Sequence, residues 1–238
     1  MKRIIMMFIR NFFRLPQMLI GLIKYSKNVD KYSDEEIYAH LRWIVSNANR
    51  GGNVEIVKSG MENIPKEDGF IFYPNHQGMY DVLALLDACD RPFSVVSKKE
   101  VQNVPLLKNV FVCMRALFID REDIKQSLQV ILDVIKQVKA GRNFVIFAEG
   151  TRSRKGNETL EFKGGSFKAA TKTKCPIVPV ALIDSFMPFD TGSIKTVKVQ
   201  IHILPPMYYD EYKDMKTTEI AKEVRDRINK TIAEYSAN

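Results

Sequence analysis

The sequence predicts an α/β fold: a mixed, largely parallel sheet flanked by helices, preceded by an N-terminal membrane-associating helical hairpin. Three observations carry this expectation. Short apolar runs recur from about residue 53 onward. Stretches with helical spacing of apolar residues separate them. The first thirty-one residues interleave basic and apolar side chains. Alternation of strand-like and helix-like segments is the signature of a sheet covered by helices. The chain has 238 residues and is 45% hydrophobic, enough for a sizeable core and too apolar for disorder.

The N-terminal segment comes first. Ile4, Ile5, Phe8, Phe12, Leu15, Leu19 and Leu22 recur at spacings of three or four, with Ile9 and Phe13 widening the stripe. Lys2, Arg3, Arg10, Arg14, Lys24, Lys27 and Lys31 oppose Asp30, so residues 1–31 hold +6 of the chain's net +8 and leave +2 for the rest. That asymmetry argues against a nucleic-acid binder, which calls for a basic stripe on the folded body. The arginines also break the run below the roughly 18 apolar residues a membrane span needs. An interfacial helix fits the pattern, with apolar groups in the acyl boundary and arginines on anionic head groups. The competing readings are a helix packed on the protein's own core and a signal anchor. Pro16 is expected to kink or divide the segment.

A second helix follows. Ser33 and Glu36 form a capping box, Ile37, Leu41, Ile44 and Ala48 keep helical spacing, and Gly51-Gly52 ends it. The expected domain division is therefore an amphipathic two-helix membrane-binding segment at residues 1–50 and an α/β domain at residues 51–238. Val54–Val57, Phe70–Tyr73, Phe93–Val96, Ala116–Ile119, Phe144–Phe147, Ile177–Leu182 and Val197–Ile203 are the candidate strands. Ile124, Leu128, Ile131, Ile135 and Val138 mark the buried face of a helix closed by Gly141. Ile220, Val224, Ile228 and Ile232 mark a last helix over residues 217–236.

Chemistry gathers where strands end. In open α/β sheets, ligand sites lie at the carboxyl ends of strands. Asn75-His76-Gln77-Gly78-Met79-Tyr80-Asp81 follows the run at residue 70. Histidine exchanges protons near neutral pH, and a carboxylate beside it fixes one tautomer and stabilises the imidazolium. Five residues of continuous helix turn through roughly 500°, leaving two side chains about 140° apart. If His76 and Asp81 touch, His76 must precede the helix that carries Asp81, and Pro74 and Gly78 suit such a break. Lys98-Lys99-Glu100, Asp120-Arg121 and Glu149-Gly150-Thr151-Arg152-Ser153 follow three other runs. Cations at several strand ends suggest an anionic substrate, with phosphate the natural candidate. The alternative for Glu149 is a salt bridge to Arg152 or Arg121.

Other chemistries find less support. There is no nucleophile elbow, no phosphate loop and no dinucleotide fingerprint. Cys89, Cys113 and Cys175 lack metal-ligand spacing and read as reduced, buried thiols. His40 and His202 read as structural, and no metal is expected.

Four blocks in order resemble those of the glycerolipid acyltransferases: Asn75-His76-x4-Asp81, Leu117-Phe118-Ile119-Asp120-Arg121, Phe147-Ala148-Glu149-Gly150-Thr151-Arg152-Ser153 and Ile177-Val178-Pro179-Val180-Ala181. The likeness is greatest to the bacterial branch acting on 1-acyl-sn-glycerol 3-phosphate, and it covers about residues 70–185. Lys98 matches the family's lysine between the first two blocks. Ala148 stands where the family often has proline, which alters backbone stiffness and removes no chemical group. The resemblance implies acyl transfer from an acyl carrier protein or coenzyme A thioester to the 2-hydroxyl of lysophosphatidic acid, giving phosphatidic acid for phospholipid biosynthesis.

The resemblance also implies roles. His76 is the general base and Asp81 its support. Lys98, Arg121 and Arg152 hold the phosphate. Asn75, Glu149, Gly150 and Thr151 bind substrate or support the site, and backbone N–H groups near Asn75–Gly78 stabilise the oxyanion. No cofactor is implied beyond the thioester co-substrate. The implied location is the cytoplasmic face of the cell membrane, peripherally bound to an anionic surface. The alternatives are an acyltransferase for another lysophospholipid or glycerol 3-phosphate, and a non-catalytic peripheral lipid-binding protein.

Overall fold

The computed structural model describes residues 1–120 and 122–236. Among them, seven strands form one sheet: β1 (Val54–Ser59), β2 (Ile71–Pro74), β3 (Ser94–Lys98), β4 (Leu117–Ile119), β5 (Phe144–Val145), β6 (Ile177–Ile183) and β7 (Val197–Ile203). Their order is β1-β7-β6-β2-β5-β3-β4. The helices are α1 (Lys2–Arg10), α2 (Leu15–Lys27), α3 (Asp34–Gly51), α4 (Asp81–Ala88), α5 (Leu107–Cys113), α6 (Ile124–Lys139), α7 (Lys168–Thr173), α8 (Met187–Asp190), α9 (Tyr209–Tyr212) and α10 (Thr217–Ser236).

The sheet is largely parallel because helices carry the chain back between successive strands. β2 pairs in parallel with β5 and β6, and β3 with β4 and β5. Their carboxyl ends therefore share one edge. The pairing of β6 with β7 is antiparallel, and β1 runs parallel to β7. The starts of β1 and β7 thus lie on the edge where the other five strands end.

Both faces of the central strands are covered, which is why β2 and β6 read as unbroken apolar runs. Side chains alternate between faces. Phe70 and Phe72 join one core cluster, with Val178, Val180 and Leu182. Ile71 and Tyr73 join the other, with Ile177, Ala181 and Ile183. The first cluster includes Ile37, Leu41 and Val45 of α3 and Leu85 of α4. The second includes Val134 of α6 and Ile220, Val224, Ile228 and Ile232 of α10. Burying each such side chain contributes roughly 1.5–3 kcal/mol.

The helix starts follow the sequence signals. Ser33 Oγ accepts from the Glu36 N–H at 3.1 Å and caps α3. The N-terminal hairpin is present, but its first arm is divided. α1 and α2 are bent by 101° to each other and only together have the length and apolar composition of a membrane span; no single described helix is long and apolar enough to cross a membrane. The break is the turn Asn11–Arg14. Asn11 Nδ2 holds it by donating to the carbonyls of Met7 at 2.9 Å and Asn47 at 3.1 Å. Pro16 lies in the first turn of α2, where no amide donor is needed.

Three expectations need correction. Arg3 is not turned to a head group. It is buried, donating to the carbonyls of Gly52, Asn53, Ser193 and Lys195. Helix α6 buries Val130, Val134 and Val138, while Ile124 and Leu128 are exposed. The cause is polar: Gln126 donates to the Phe118 carbonyl and Ser127 to that of Asp120, both at 2.7 Å. Those bonds turn the polar side of the first turn inward. Strand β5 stops at Val145, because the chain turns at Phe147–Gly150, where the Gly150 N–H donates to the Phe147 carbonyl at 3.1 Å and Gly150 has φ +73.

Candidate active site

The loop after β2 is pinned to its neighbours before any chemistry is added. Asn75 continues the β2–β6 ladder with its side chain: Nδ2 donates to the Leu182 carbonyl at 3.0 Å, and Oδ1 accepts from the Leu182 N–H at 2.7 Å. The His76 N–H donates to Glu149 Oε1 at 2.7 Å, and its carbonyl accepts from the Ser153 N–H at 2.8 Å. Gln77 Nε2 donates to the Leu182 carbonyl at 3.0 Å and to Asn157 Oδ1 at 2.8 Å, while its Oε1 accepts from the Ser185 N–H at 2.9 Å. At Gly78 an added Cβ would lie 3.1 Å from Phe186 Cα, so the loop needs a bare backbone there to pass under the start of α8.

Asp81 is the first residue of α4 and is fully buried. Its carboxylate accepts from His76 Nδ1 at 2.7 Å, from the Gln77 N–H at 2.7 Å, from the Gly78 N–H at 3.1 Å and from Ser185 Oγ at 2.5 Å. His76 therefore sits before the helix, as the five-residue spacing requires. With Asp81 accepting at Nδ1, the neutral ring carries its proton there and leaves Nε2 as the acceptor. The His76 side chain is 19% exposed. Its ring packs on Phe147 with centroids 4.1 Å apart and planes at 30°.

Glu149 is a support, and it pairs with no arginine among the described residues. It is buried and accepts from the backbone of His76 and, at 3.0 Å, of Leu160. Burial, the strongest influence, raises its carboxyl above the usual range, against the hydrogen bonds from His76 and Leu160 that lower it. Gly150 adopts the left-handed conformation beside Lys163. Thr151 is exposed and Arg152 half-buried, and Arg152 has no ion-pair partner among the described residues. The hydrogen bond from the Ser153 N–H to the His76 carbonyl holds this segment against the loop after β2.

The remaining cations are further away or engaged. Lys98 closes β3, with β5 between it and β2, a separation of about 10 Å from two strand spacings. It is exposed and paired with Glu100 at 2.7 Å. Lys99 pairs with Asp120. Arg121 lies outside the described residues. The expected oxyanion donors also change: the amides of His76, Gln77 and Gly78 are all taken by Glu149 and Asp81. Sequence reasoning missed the roles of Gln77, Asn157 and Ser185. Ser185 stood two residues past an apolar run, a strand-end position that was a usable signal; Asn157 had none.

The three cysteines offer no competing nucleophile. Burial pushes Cys89 and Cys175 to about 11 and Cys113 to about 12, so each stays a thiol at neutral pH. Among the described residues the site thus combines a buried carboxylate with an oriented imidazole, and no cysteine thiolate stands beside them.

The sequence profile of the family described as Acyltransferase matches residues 55–183, more than half of the chain. This chain belongs to the acyltransferase family. The acyltransferase is 31% identical over 181 residues to the 1-acyl-sn-glycerol-3-phosphate acyltransferase of Borreliella burgdorferi, covering 75% of this chain and 72% of that one. It is 30% identical over 165 residues to the enzyme of the same name from Escherichia coli K12, covering 69% and 67%. Its fold is similar to the crystal structure of the 1-acyl-sn-glycerophosphate (LPA) acyltransferase PlsC from Thermotoga maritima, with a TM-score of 0.80 at 22% identity, over 100% of this chain and 97% of that one.

Proposed function

We propose that this acyltransferase moves a fatty acyl group from a thioester, on acyl carrier protein or coenzyme A, to the 2-hydroxyl of 1-acyl-sn-glycerol 3-phosphate, giving phosphatidic acid. The names of its relatives support the acceptor. The observation that carries the chemistry is the His76 Nδ1–Asp81 contact of 2.7 Å, with Nε2 left free of protein partners among the described residues.

In the proposed step, Nε2 takes the proton from the 2-hydroxyl as its oxygen attacks the thioester carbonyl. The C–S bond breaks, and the departing thiolate takes the proton back from the imidazolium. Asp81 stabilises that transient cation. An aliphatic hydroxyl is a weak nucleophile while it keeps its proton, so a positioned base contributes on the order of 10²–10⁴-fold. No acyl-enzyme is required, and the thioester is a co-substrate, not a cofactor. Arg152, Arg121 and Lys98 hold the phosphate in this reading. Lys98 must exchange its surface bond to Glu100, which costs little at an exposed pair. Holding the phosphate turns binding into orientation of the hydroxyl.

The site belongs at a lipid surface in this reading, on the cytoplasmic face of the membrane. Support comes from the exposed apolar groups of the hairpin: Ile9 is 69%, Phe12 66%, Phe13 95% and Ile20 67% exposed. Arg3 fastens α1 to the starts of β1 and β7, on the catalytic edge of the sheet.

Purified protein assayed with lysophosphatidic acid and each thioester donor tests the proposal. Phosphatidic acid is expected with at least one donor, and His76→Ala is expected to cut turnover on the order of 10²–10⁴-fold with an unchanged circular dichroism spectrum. Near-normal turnover by His76→Ala would sink the mechanism.

A further inference from the structure

Residues unused by the catalytic reading gather between the N-terminal helices and the far end of α4. Arg14, in the turn between α1 and α2, and Arg42 and Arg50 of α3 line an open cavity of about 430 Å³, together with Trp43 and Asp87. Asp87 lies six residues beyond Asp81 on α4, about 9 Å along the helix axis, so the cavity is separate from the catalytic loop.

The three guanidinium groups lack carboxylate partners of the kind that hold Arg115 and Arg142. Arg115 and Arg142 bind Asp30 and Asp34. Arg14, Arg42 and Arg50 form no ion pair among the described residues. Arg42 makes one long hydrogen bond, 3.3 Å to the Asp87 carbonyl, and its Nε is buried with no acceptor. The Asp87 carboxylate accepts from Asn49 Nδ2 at 3.2 Å. Three guanidinium groups and one carboxylate therefore face one hollow, with an unmet buried donor among them.

We infer that this cavity is a second anion site, taking a phosphate group presented at a lipid surface or free in solution. A guanidinium fork matches two phosphate oxygens at once, and several forks on one hollow select a compact, multiply charged oxyanion. Phe12 and Phe13, both highly exposed, immediately precede Arg14, which sets the cavity beside the chain's most exposed aromatic side chains. The inference does not depend on the acyl-transfer step.

Trp43 is the chain's single tryptophan and lines the cavity, so its fluorescence reports on the site. The full chain is titrated with sodium phosphate at constant ionic strength, with phosphatidylcholine vesicles, and with phosphatidylcholine–phosphatidylglycerol vesicles. The test variant is Arg14→Gln/Arg50→Gln, two exposed positions whose loss leaves the Arg42 contact in place. The control, Lys168→Gln/Lys172→Gln, removes equal charge from exposed positions on α7. The expected result is a saturable Trp43 response that the arginine variant weakens about tenfold or more and the lysine variant by less than about twofold. A response to phosphate alone assigns the site to the free ion. A response only to phosphatidylglycerol vesicles assigns it to a lipid head group. Equal losses in the two variants, or no response to any probe, would overturn the inference.

Discussion

Asp81 accepts four hydrogen bonds, and only one of them comes from the imidazole it orients. The other donors fix the carboxylate, so the ring inherits its position from Ser185 and the loop amides. Asp81→Asn must present an amide N–H to groups that are themselves donors, which breaks the bond to His76 Nδ1 or to the loop. Turnover is expected to fall on the order of 10²–10⁴-fold with a smaller change in KM. Ser185→Ala keeps the charge and the loop amides; a fall in kcat of about threefold to tenfold at steady KM is expected for the loss of one hydrogen bond. Steady-state kinetics on both variants separates the effects, and an unchanged kcat for Ser185→Ala would remove it as a positioning residue. The His76–Asp81 contact was legible because Pro74 and Gly78 break the helix where the spacing demands it. The contact of Ser185 was not, despite its strand-end position, because it spans 104 residues and follows from the pairing of β2 with β6. Glu149 accepts from two backbone amides, partners that a sequence does not display.

The N-terminal hairpin was legible as amphipathic, and Pro16 signalled a division, but the place and angle of the bend were not legible. One apolar stripe was expected to face outward, yet Met7, Met18 and Leu22 pack inward while Ile9, Phe13 and Ile20 stay exposed. A 101° bend changes which residues share a face, and periodicity alone cannot register it. Arg3 shows the same limit: a basic residue in an apolar run signals a head group until four carbonyls surround it. Phe12→Ser/Phe13→Ser removes the exposed aromatics without touching that packing. Vesicle sedimentation is expected to show a clear loss of binding with the melting temperature within about 2 °C, as for surface substitutions generally. Undiminished sedimentation would count against the hairpin as the lipid-facing element. Helix α6 is apolar on two sides, and the choice of the buried side rested on Gln126 and Ser127 bonding to β4, a tertiary contact.

Across the whole molecule, the fold class was legible in the alternation of apolar runs with helices, and all seven expected strands form. Their order was not, since it depends on crossovers that leave no local trace. Cohesion of the two cores has a measurable pH signature. Cys89, Cys113 and Cys175 are raised from 9.0 to about 11, 12 and 11 by burial. Above pH 9 the unfolded thiols ionise while the folded ones keep their protons, so the folded state binds more protons and stability falls as pH rises. The decline from this source continues until the folded thiols ionise near pH 11–12. Buried Tyr38 and Tyr73 act in the same direction above their ordinary 10.0. Thermal melts from pH 8 upward are expected to show a falling melting temperature, with a shallower slope in Cys89→Ala/Cys113→Ala/Cys175→Ala. Parallel slopes would refute the assignment.

The reversal between β6 and β7 also bears on how far a lipid must travel. It places the starts of β1 and β7, and the α1 helix that Arg3 ties to them, on the edge where His76 lies. Withdrawing an acyl chain from a bilayer costs about 0.8 kcal/mol for every CH₂ exposed. On the proposed reaction, an acceptor at this edge has only to raise its glycerol out of the interface. In that reading its tail stays in hydrocarbon, and the extraction barrier that a distant site would impose is avoided.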